Sequence, residues 1–532
     1  MIIAAIAIFC GTVRGIIATD EFLWLDELHT SWAIHDGFLE VLSRSTIGNQ
    51  SPFFFWLSWI PVSLFGESAF TIRLVSWLAG IATLIVASWI VLSWTRSTLG
   101  AVLVAILIAL DIQFMYYGTE ARPYSLVQLL SAVQVFLFWQ WIECNYDSNE
   151  SASKHHSWGP SLRLTIASAL LIYAHYTSVW LLVSEAIFIG IWMSCDGKIR
   201  RRLWRSSLSS TAMVVLFCIP AFLMMNSVFA RRGNWAPVSS IHGVLSEFFG
   251  LNMNQASPLV CWIVFPTIVL CFAGLTHRIL KKNLNSEPDH GSFQNLKYCF
   301  VVLWATIPVI GVIAFDYFKI APTALTRYTL VGSVAFPVFA GLAVGFCRDR
   351  KIQMGLGIIL IAASLIQSPI TSSNFISSGF QSSELPGLRF EDWQTPIAFI
   401  NSDDSKRSQP VFLASNLIED VDAFTNRSSD FQAYLLFPLN GIHQINSDPE
   451  EGNAGKLISV PTMAPEHFQE QHIQMMKRKG GAWILIRGTE DLAFEFEAEI
   501  RGKSKQLFPN DNLNSNLHGS PYSYVYILSV DW

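Results

Sequence analysis

The chain has 532 residues, of which 52% are hydrophobic and only 14% charged. Soluble domains carry about 25% charged residues, so an ordinary soluble enzyme is excluded, no nucleic-acid partner is expected, and the composition is that of a polytopic membrane protein. The net charge of −5 is unevenly placed: from Ser373 onward 12 Lys and Arg stand against 21 Asp and Glu, a net of −9, whereas the rest carries 23 against 19, a net of +4.

In chain order, Met1 to Ala18 lacks the basic start and small-residue cleavage site of a signal peptide and is read as a first transmembrane helix. Next comes WLDELHTSWAIHDGFLEVLSRSTIGNQSP, residues 24 to 52, headed by the adjacent acids Asp26 and Glu27 and followed by His29, Trp32 and His35. A charged group beside hydrocarbon costs several kcal/mol unless it meets water, a partner or a substrate, so an acid pair here points to a functional site. Pro52 to Phe65 is aromatic-rich, too short to span comfortably and interrupted by Pro61, and is expected to lie in the membrane interface.

Runs long enough to span a bilayer follow at about 69–94, 99–117, 123–142, 207–226, 257–276, 298–317, 327–346 and 352–369. The run from 162 to 193 is too long for one span and is split near His175, giving eleven spans in all. With a cytoplasmic N-terminus, one set of loops then carries 15 basic residues and the other 7. The positive-inside rule assigns the richer set to the cytoplasm. Asp26, Glu27, Arg122, His175, Arg327 and the tail accordingly fall on the extracytoplasmic side of a multi-pass cell (inner) membrane protein. Eight cysteines, none of them in the tail and none in a CxxC spacing, read as small buried hydrophobes.

The expected organisation is a transmembrane domain over 1–372, with an external loop at 19–68, and a soluble extracytoplasmic α/β domain over 373–532. In the tail, helices are expected from Glu391, over 465–479 and after Glu490, and strands from Pro410, at 482–487 and at 524–530. No glycine-rich phosphate loop is present, and Gly480 with Gly481 reads as a helix stop before a strand.

On the acid pair's side of the membrane lie Gln50, Ser51 and Pro52, the string YYGTEARPYS with Glu120, Arg122 and Tyr124, and the pair Arg327 and Tyr328. A guanidinium presents a planar fork of donors suited to phosphate, and a nearby phenol adds another. Each arginine alone would serve equally as a snorkelling interfacial anchor. Two Arg and Tyr combinations with a carboxylate pair instead suggest a site that takes a phosphate-bearing, membrane-embedded substrate and supplies a base.

The order of the acid pair, then SPFFFWLSWIPVSLFGESAFTIRLVSWLAG, IQFMYYGTEARPYSLVQLL, IYAHYTSVWLL, LTRYTLVGSVAFPV and finally EDWQTPIAFI resembles the GT-C glycosyltransferases of the protein mannosyltransferase and aminoarabinose transferase type. The resemblance implies a polyprenyl-phosphate sugar as donor, transfer outside the cytoplasm to a lipid, glycan or protein acceptor, and Asp26 as the active-site acid with Glu27 as its companion. The chain departs from such relatives at Gln50, where they often carry His or Pro; Gln50 can substitute as a hydrogen-bond partner, or the donor differs.

An aspartate in water has a pKa of about 4, so partial burial and the neighbouring Glu27 are needed to raise Asp26's basicity. Arg122 and Arg327 would offset charge on the departing phosphate, His175 can join them, and one base in a single displacement implies inversion. A divalent metal held by Asp26, Glu27, His29 and His35 stays open, although HExxH or a comparable spacing is lacking. The competing readings are a polytopic transporter and a non-catalytic envelope-assembly protein. A transporter would favour broken helices in matched halves; a dead transferase core would be expected to lack the acid pair.

Overall fold

A computed structural model describes residues 1–47, 50–147, 158–195, 197–230, 290–320, 325–380, 391–446, 456–463, 466–519 and 524–532. The chain forms two compact units: one of residues 1–20, 49–58 and 73–387, the other of 21–48, 59–72 and 388–532. The second unit thus combines most of the loop after the first helix with the tail.

Helices α1 (Ile2–Asp20), α2 (Leu25–His35), α3 (Glu40–Ile47), α4 (Phe53–Phe65), α5 (Ala69–Thr95), α6 (Thr98–Leu110), α7 (Ile112–Gly118), α8 (Tyr124–Asp147), α9 (Trp158–Ala174), α10 (Val179–Cys195) and α11 (Gly197–Ala230) come first. They are followed by α12 (His290–Tyr317), α13 (Ala335–Gly345), α14 (Arg350–Gln367) and the short α15 (Ser373–Ser377). Among the described residues six helices are long and apolar enough to cross a membrane, or seven if the bent pair α6 and α7 is one span. The expected eleven spans are therefore not reproduced, and the one at 257–276 lies outside the described residues.

Two differences have physical causes. The expected span 99–117 bends by 66° because Asp111 ends α6 and caps α7, its Oδ1 accepting from the backbone N–H groups of Gln113 and Phe114 at 2.8 and 3.1 Å. The expected span 327–346 is reduced to the helix α13 preceded by single 3₁₀ turns at Thr326–Tyr328 and Leu330–Gly332. The long run at 162–193 breaks at His175 as expected; its imidazole Nδ1 caps the 3₁₀ turn Tyr176–Ser178 by accepting from the N–H of Thr177.

Helix packing in this unit relies on small residues that let backbones approach. A Cβ on Gly341 of α13 would stand 2.4 Å from Val104 Cγ2 and 3.0 Å from the Gly100 carbonyl of α6, whereas Gly355 of α14 has nothing within 4 Å. Gly341→Ala is expected to destabilise the protein by about 1–3 kcal/mol through overpacking. Gly355→Ala should be neutral or slightly stabilising, and thermal unfolding of the two variants in one detergent checks the difference.

In the second unit, helices α16 (Gln394–Ser402), α17 (Ser429–Asn440), α18 (Glu470–Arg478) and α19 (Glu490–Leu507) accompany strands β1 (Val411–Ala414), β2 (Leu457–Ser459), β3 (Gly481–Arg487), β4 (Asn514–His518) and β5 (Val525–Asp531). The sheet order is β2-β1-β3-β5-β4. β1 is parallel to β2 and β3, with Val411 opposite Trp483, and β5 is antiparallel to β3 and β4. β1, β3 and β5 are nearly continuous runs of buried residues, as central strands must be. One face packs Phe412, Phe468, Ile473, Met476, Ile484, Phe496 and Leu528 into a single core. Gly480, at φ +73°, ends α18 in the left-handed conformation that frees the chain to turn into β3.

The second unit buries two ionisable groups with opposite consequences for stability. Burial pushes Asp420 up to about 6, although its carboxylate accepts from the Thr462 hydroxyl and N–H. Burial, aided by Arg427 and Lys503, lowers His472 to about 4. A folded aspartate that holds its proton more tightly than the unfolded one loses stability as pH rises from about 4 to 6, and a folded histidine that holds it less tightly gains stability from about 4 to 6.5, each by up to about 3 kcal/mol. The two nearly cancel in the intact protein. Asp420→Asn should leave stability rising with pH across that window, and His472→Gln should leave it falling; urea midpoints of the tail's tryptophan signal at pH 4.5 and 7 check both signs.

Candidate functional site

In the second unit the acid pair opens α2. Asp26 is half-buried and Glu27 fully buried. The Glu27 carboxylate turns back to its own helix start, where it accepts from the Trp24 N–H at 3.4 Å. The first amide of α2, Leu25 N–H, donates to Glu391 Oε2 at 2.8 Å, and the other oxygen of Glu391 pairs with Arg487 at the end of β3 at 2.6 Å.

Along the rest of α2 the aromatic and imidazole groups are used in packing. His29 stacks on Tyr434 of α17 with ring centroids 4.4 Å apart, Trp32 meets the same ring edge-on at 5.0 Å, and His35 packs on Phe437 at 5.7 Å. His35 also meets the Glu67 carboxylate at 3.2 Å, and Ser31 donates to that carboxylate. Arg44 lies over Trp32 and pairs with Asp36. The quartet Asp26, Glu27, His29 and His35 is therefore not gathered as ligands; among the described residues no three His, Cys, Asp or Glu groups could hold a metal ion.

In the first unit four of the predicted residues form one chain of rings and charge. Tyr124, at the start of α8, lies 6.0 Å from His175, and His175 lies 5.5 Å from Tyr328. The Arg327 guanidinium is 5.4 Å from the Tyr328 ring. Arg122 is buried, and both Arg122 and Arg327 act electrostatically on Tyr124 and on His175.

This cluster sits where apolar helices end, so its backbone polar groups need partners. Ser76 of α5 donates to the Arg122 carbonyl at 2.9 Å, Ser125 donates back to the Ser76 carbonyl at 2.7 Å, and the Arg122 N–H donates to the Glu120 carbonyl at 2.8 Å. Glu120 itself is buried. Gln50 and Ser51 belong to the same unit, and the Ser51 hydroxyl donates to the Tyr173 carbonyl, two residues before His175. The segment in which this chain departs from the GT-C pattern is thus tied to the helix break that carries His175. Gln50 Oε1 is buried without a hydrogen-bond partner among the described residues.

Two guanidinium groups, two phenols and an imidazole of this kind suit an anion such as a phosphate. Several participants were not legible in the sequence. Glu391 meets Leu25 across 366 residues of chain and is itself paired by Arg487, and Tyr434 lies in a helix with no motif. Arg14 of α1 is a buried cation that gave no signal within its apolar run, and it donates to the Ile108 carbonyl at 3.1 Å.

No protein-family model matches the chain, and no curated protein matches it in sequence. Solved structures do. ArnT from Cupriavidus metallidurans bound to undecaprenyl phosphate aligns over 99% of this chain and 97% of its own, at 12% identity and a TM-score of 0.50. The oligosaccharyltransferase AglB from Archaeoglobus fulgidus, in complex with an inhibitory peptide and a dolichol-phosphate, aligns over 98% of this chain and 74% of its own, at 10% identity and a TM-score of 0.52. The chain shares its fold with these two GT-C glycosyltransferases.

Proposed function

We propose that this chain is a membrane glycosyltransferase that moves a sugar from a polyprenyl-phosphate donor to an acceptor hydroxyl on the extracytoplasmic face. The observation that carries the reading is the cluster of Arg122, Tyr124, His175, Arg327 and Tyr328 at helix ends in a fold shared with proteins whose structures hold undecaprenyl phosphate and dolichol-phosphate. In this reading these five residues, with Glu120 and Gln50, take the donor phosphate and its sugar. Asp26, with Glu27 as companion, removes the acceptor's proton.

The acceptor oxygen forms a bond to the anomeric carbon as the bond from that carbon to the phosphate oxygen breaks. The proton passes to Asp26, and polyprenyl phosphate leaves with the bonding pair, so the anomeric configuration inverts. Cationic donors aimed at the leaving oxygens act where charge develops, which makes them worth more in the transition state than in the ground state.

Mass spectrometry of membrane lipids and envelope glycans from cells with and without the gene tests the proposal. A transferase predicts loss of one glycan modification together with accumulation of one polyprenyl-phosphate sugar. The second reading is a transporter, raised by the helix breaks at Asp111 and His175, since broken helices also occur in transporters. A transporter would instead redistribute a lipid-linked sugar between leaflets with no anomeric bond cleaved, leaving purified protein unable to release free polyprenyl phosphate.

A further inference from the structure

We infer that Glu391 and Arg487 are positioning residues that hold the acid-bearing helix α2 in its working orientation, so that the tail unit sets the geometry of Asp26. The inference rests on the transferase reading for its kinetic consequence but not for its structural one. It begins with a backbone requirement. The first amides of a helix have no partner within the helix, and the N-terminus carries a partial positive charge, so a carboxylate placed there both accepts a hydrogen bond and complements the dipole.

α2 needs such a group, because Trp24, the residue before its first turn, offers no capping oxygen in its side chain. The carboxylate that reaches Leu25 N–H comes from Glu391, 366 residues later, at 2.8 Å. Glu391 is 5% exposed. A carboxylate buried to that degree persists only if it is paired. Arg487 supplies the pair at 2.6 Å, and being the last residue of β3 it ties Glu391 to the rigid centre of the sheet. Arg487 also approaches the Asn416 carbonyl beyond the end of β1 at 3.5 Å, so the strand ends share one anchor.

A second, independent set of contacts fixes the rotation of α2. His29 and Trp32, one turn apart on one face, both press on the Tyr434 ring of α17. The amide clamp fixes where α2 starts, and the Tyr434 face fixes which way it turns. Asp26 lies one residue beyond the clamped amide and three before His29, so its carboxylate direction is determined by both.

The test is made on the full chain in nanodiscs, with Glu391→Ala and Glu391→Gln. Hydrogen exchange is followed at residues 24–30 and at β1 and β3. Glu391→Ala should speed exchange at Leu25 and its neighbours about tenfold or more while β1 and β3 keep their protection. Glu391→Gln retains an acceptor oxygen and should restore most of that protection. Where transfer is measurable, Glu391→Ala should lower kcat about tenfold with little change in KM for the polyprenyl-phosphate sugar, because the donor-binding residues are untouched. Unchanged exchange at 24–30 in Glu391→Ala would overturn the inference. So would loss of protection across β1 and β3 in both variants, which would make Glu391 a general stabiliser of the unit. A protein that shows the exchange pattern yet transfers no sugar keeps the positioning role and removes the transferase reading.

Discussion

Asp26→Asn is expected to lower sugar transfer by about 10²- to 10⁴-fold, the usual contribution of a positioned general base, while leaving donor affinity nearly unchanged. The substitution keeps the side chain's shape and a hydrogen-bonding oxygen but cannot accept the acceptor's proton. Asp26 is half-buried in the first turn of α2, and the backbone there is held by Glu391 and by Glu27, neither of which the change touches. Turnover of a polyprenyl-phosphate sugar by purified protein, with donor affinity measured separately, checks the split. Residual activity within threefold of the parent would remove Asp26 as the base. A matching loss of donor affinity would move it from proton transfer to donor binding.

Phe412→Ala should cost the tail about 3–5 kcal/mol, the range for deleting a buried aromatic side chain. Phe412 is fully buried on β1, between β2 and β3 in the sheet. Its ring meets Phe468 edge-on at 5.4 Å and His472 at 5.7 Å, and Phe468 in turn meets Phe496 at 5.8 Å, so the vacated space opens in the middle of an aromatic stack from three elements. With about 2–4 °C lost per kcal/mol in a domain of this size, the tail's melting midpoint should fall by roughly 10 °C. Phe412→Leu should recover more than half of the loss. A change below about 1 kcal/mol would mean that the stack does not sustain the sheet.

The sequence made the regular parts readable because their determinants are local. β1, β3 and β5 were expected within a residue or two, since each is a run of apolar and β-branched residues closed by turn signals. The break at His175 could be seen because a run of that length does not fit one bilayer crossing. The short β2 and the alternately exposed β4 lack such a run, and α17 contains Pro438, so none of the three stood out. The bend at Asp111 was hidden for another reason: hydropathy averages over a single capping residue.

For the candidate residues the limit was pairing. Residue types that suit phosphate or proton transfer could be picked out one at a time, and Tyr124, His175 and Tyr328 do meet. Nothing in Leu25, Glu391 or Arg487 announces that they touch, because a hydrogen bond across 366 residues leaves no periodicity to read.

The mixed make-up of the second unit also bears on how the protein comes into being. Its early segments end at residue 72 and its remaining part begins at 388, 316 positions later. At ribosomal speeds of about 5–20 residues per second that interval is roughly a quarter of a minute to a minute. Throughout it His29 and Trp32 lack the Tyr434 ring and Leu25 lacks the Glu391 carboxylate. The nascent chain must keep an aromatic, acid-bearing segment from mispairing for that long. The strand Val525–Asp531 belongs to the same sheet as Arg487, so the sheet that anchors α2 is assembled only after a further stretch of more than a hundred residues beyond Glu391 has been made.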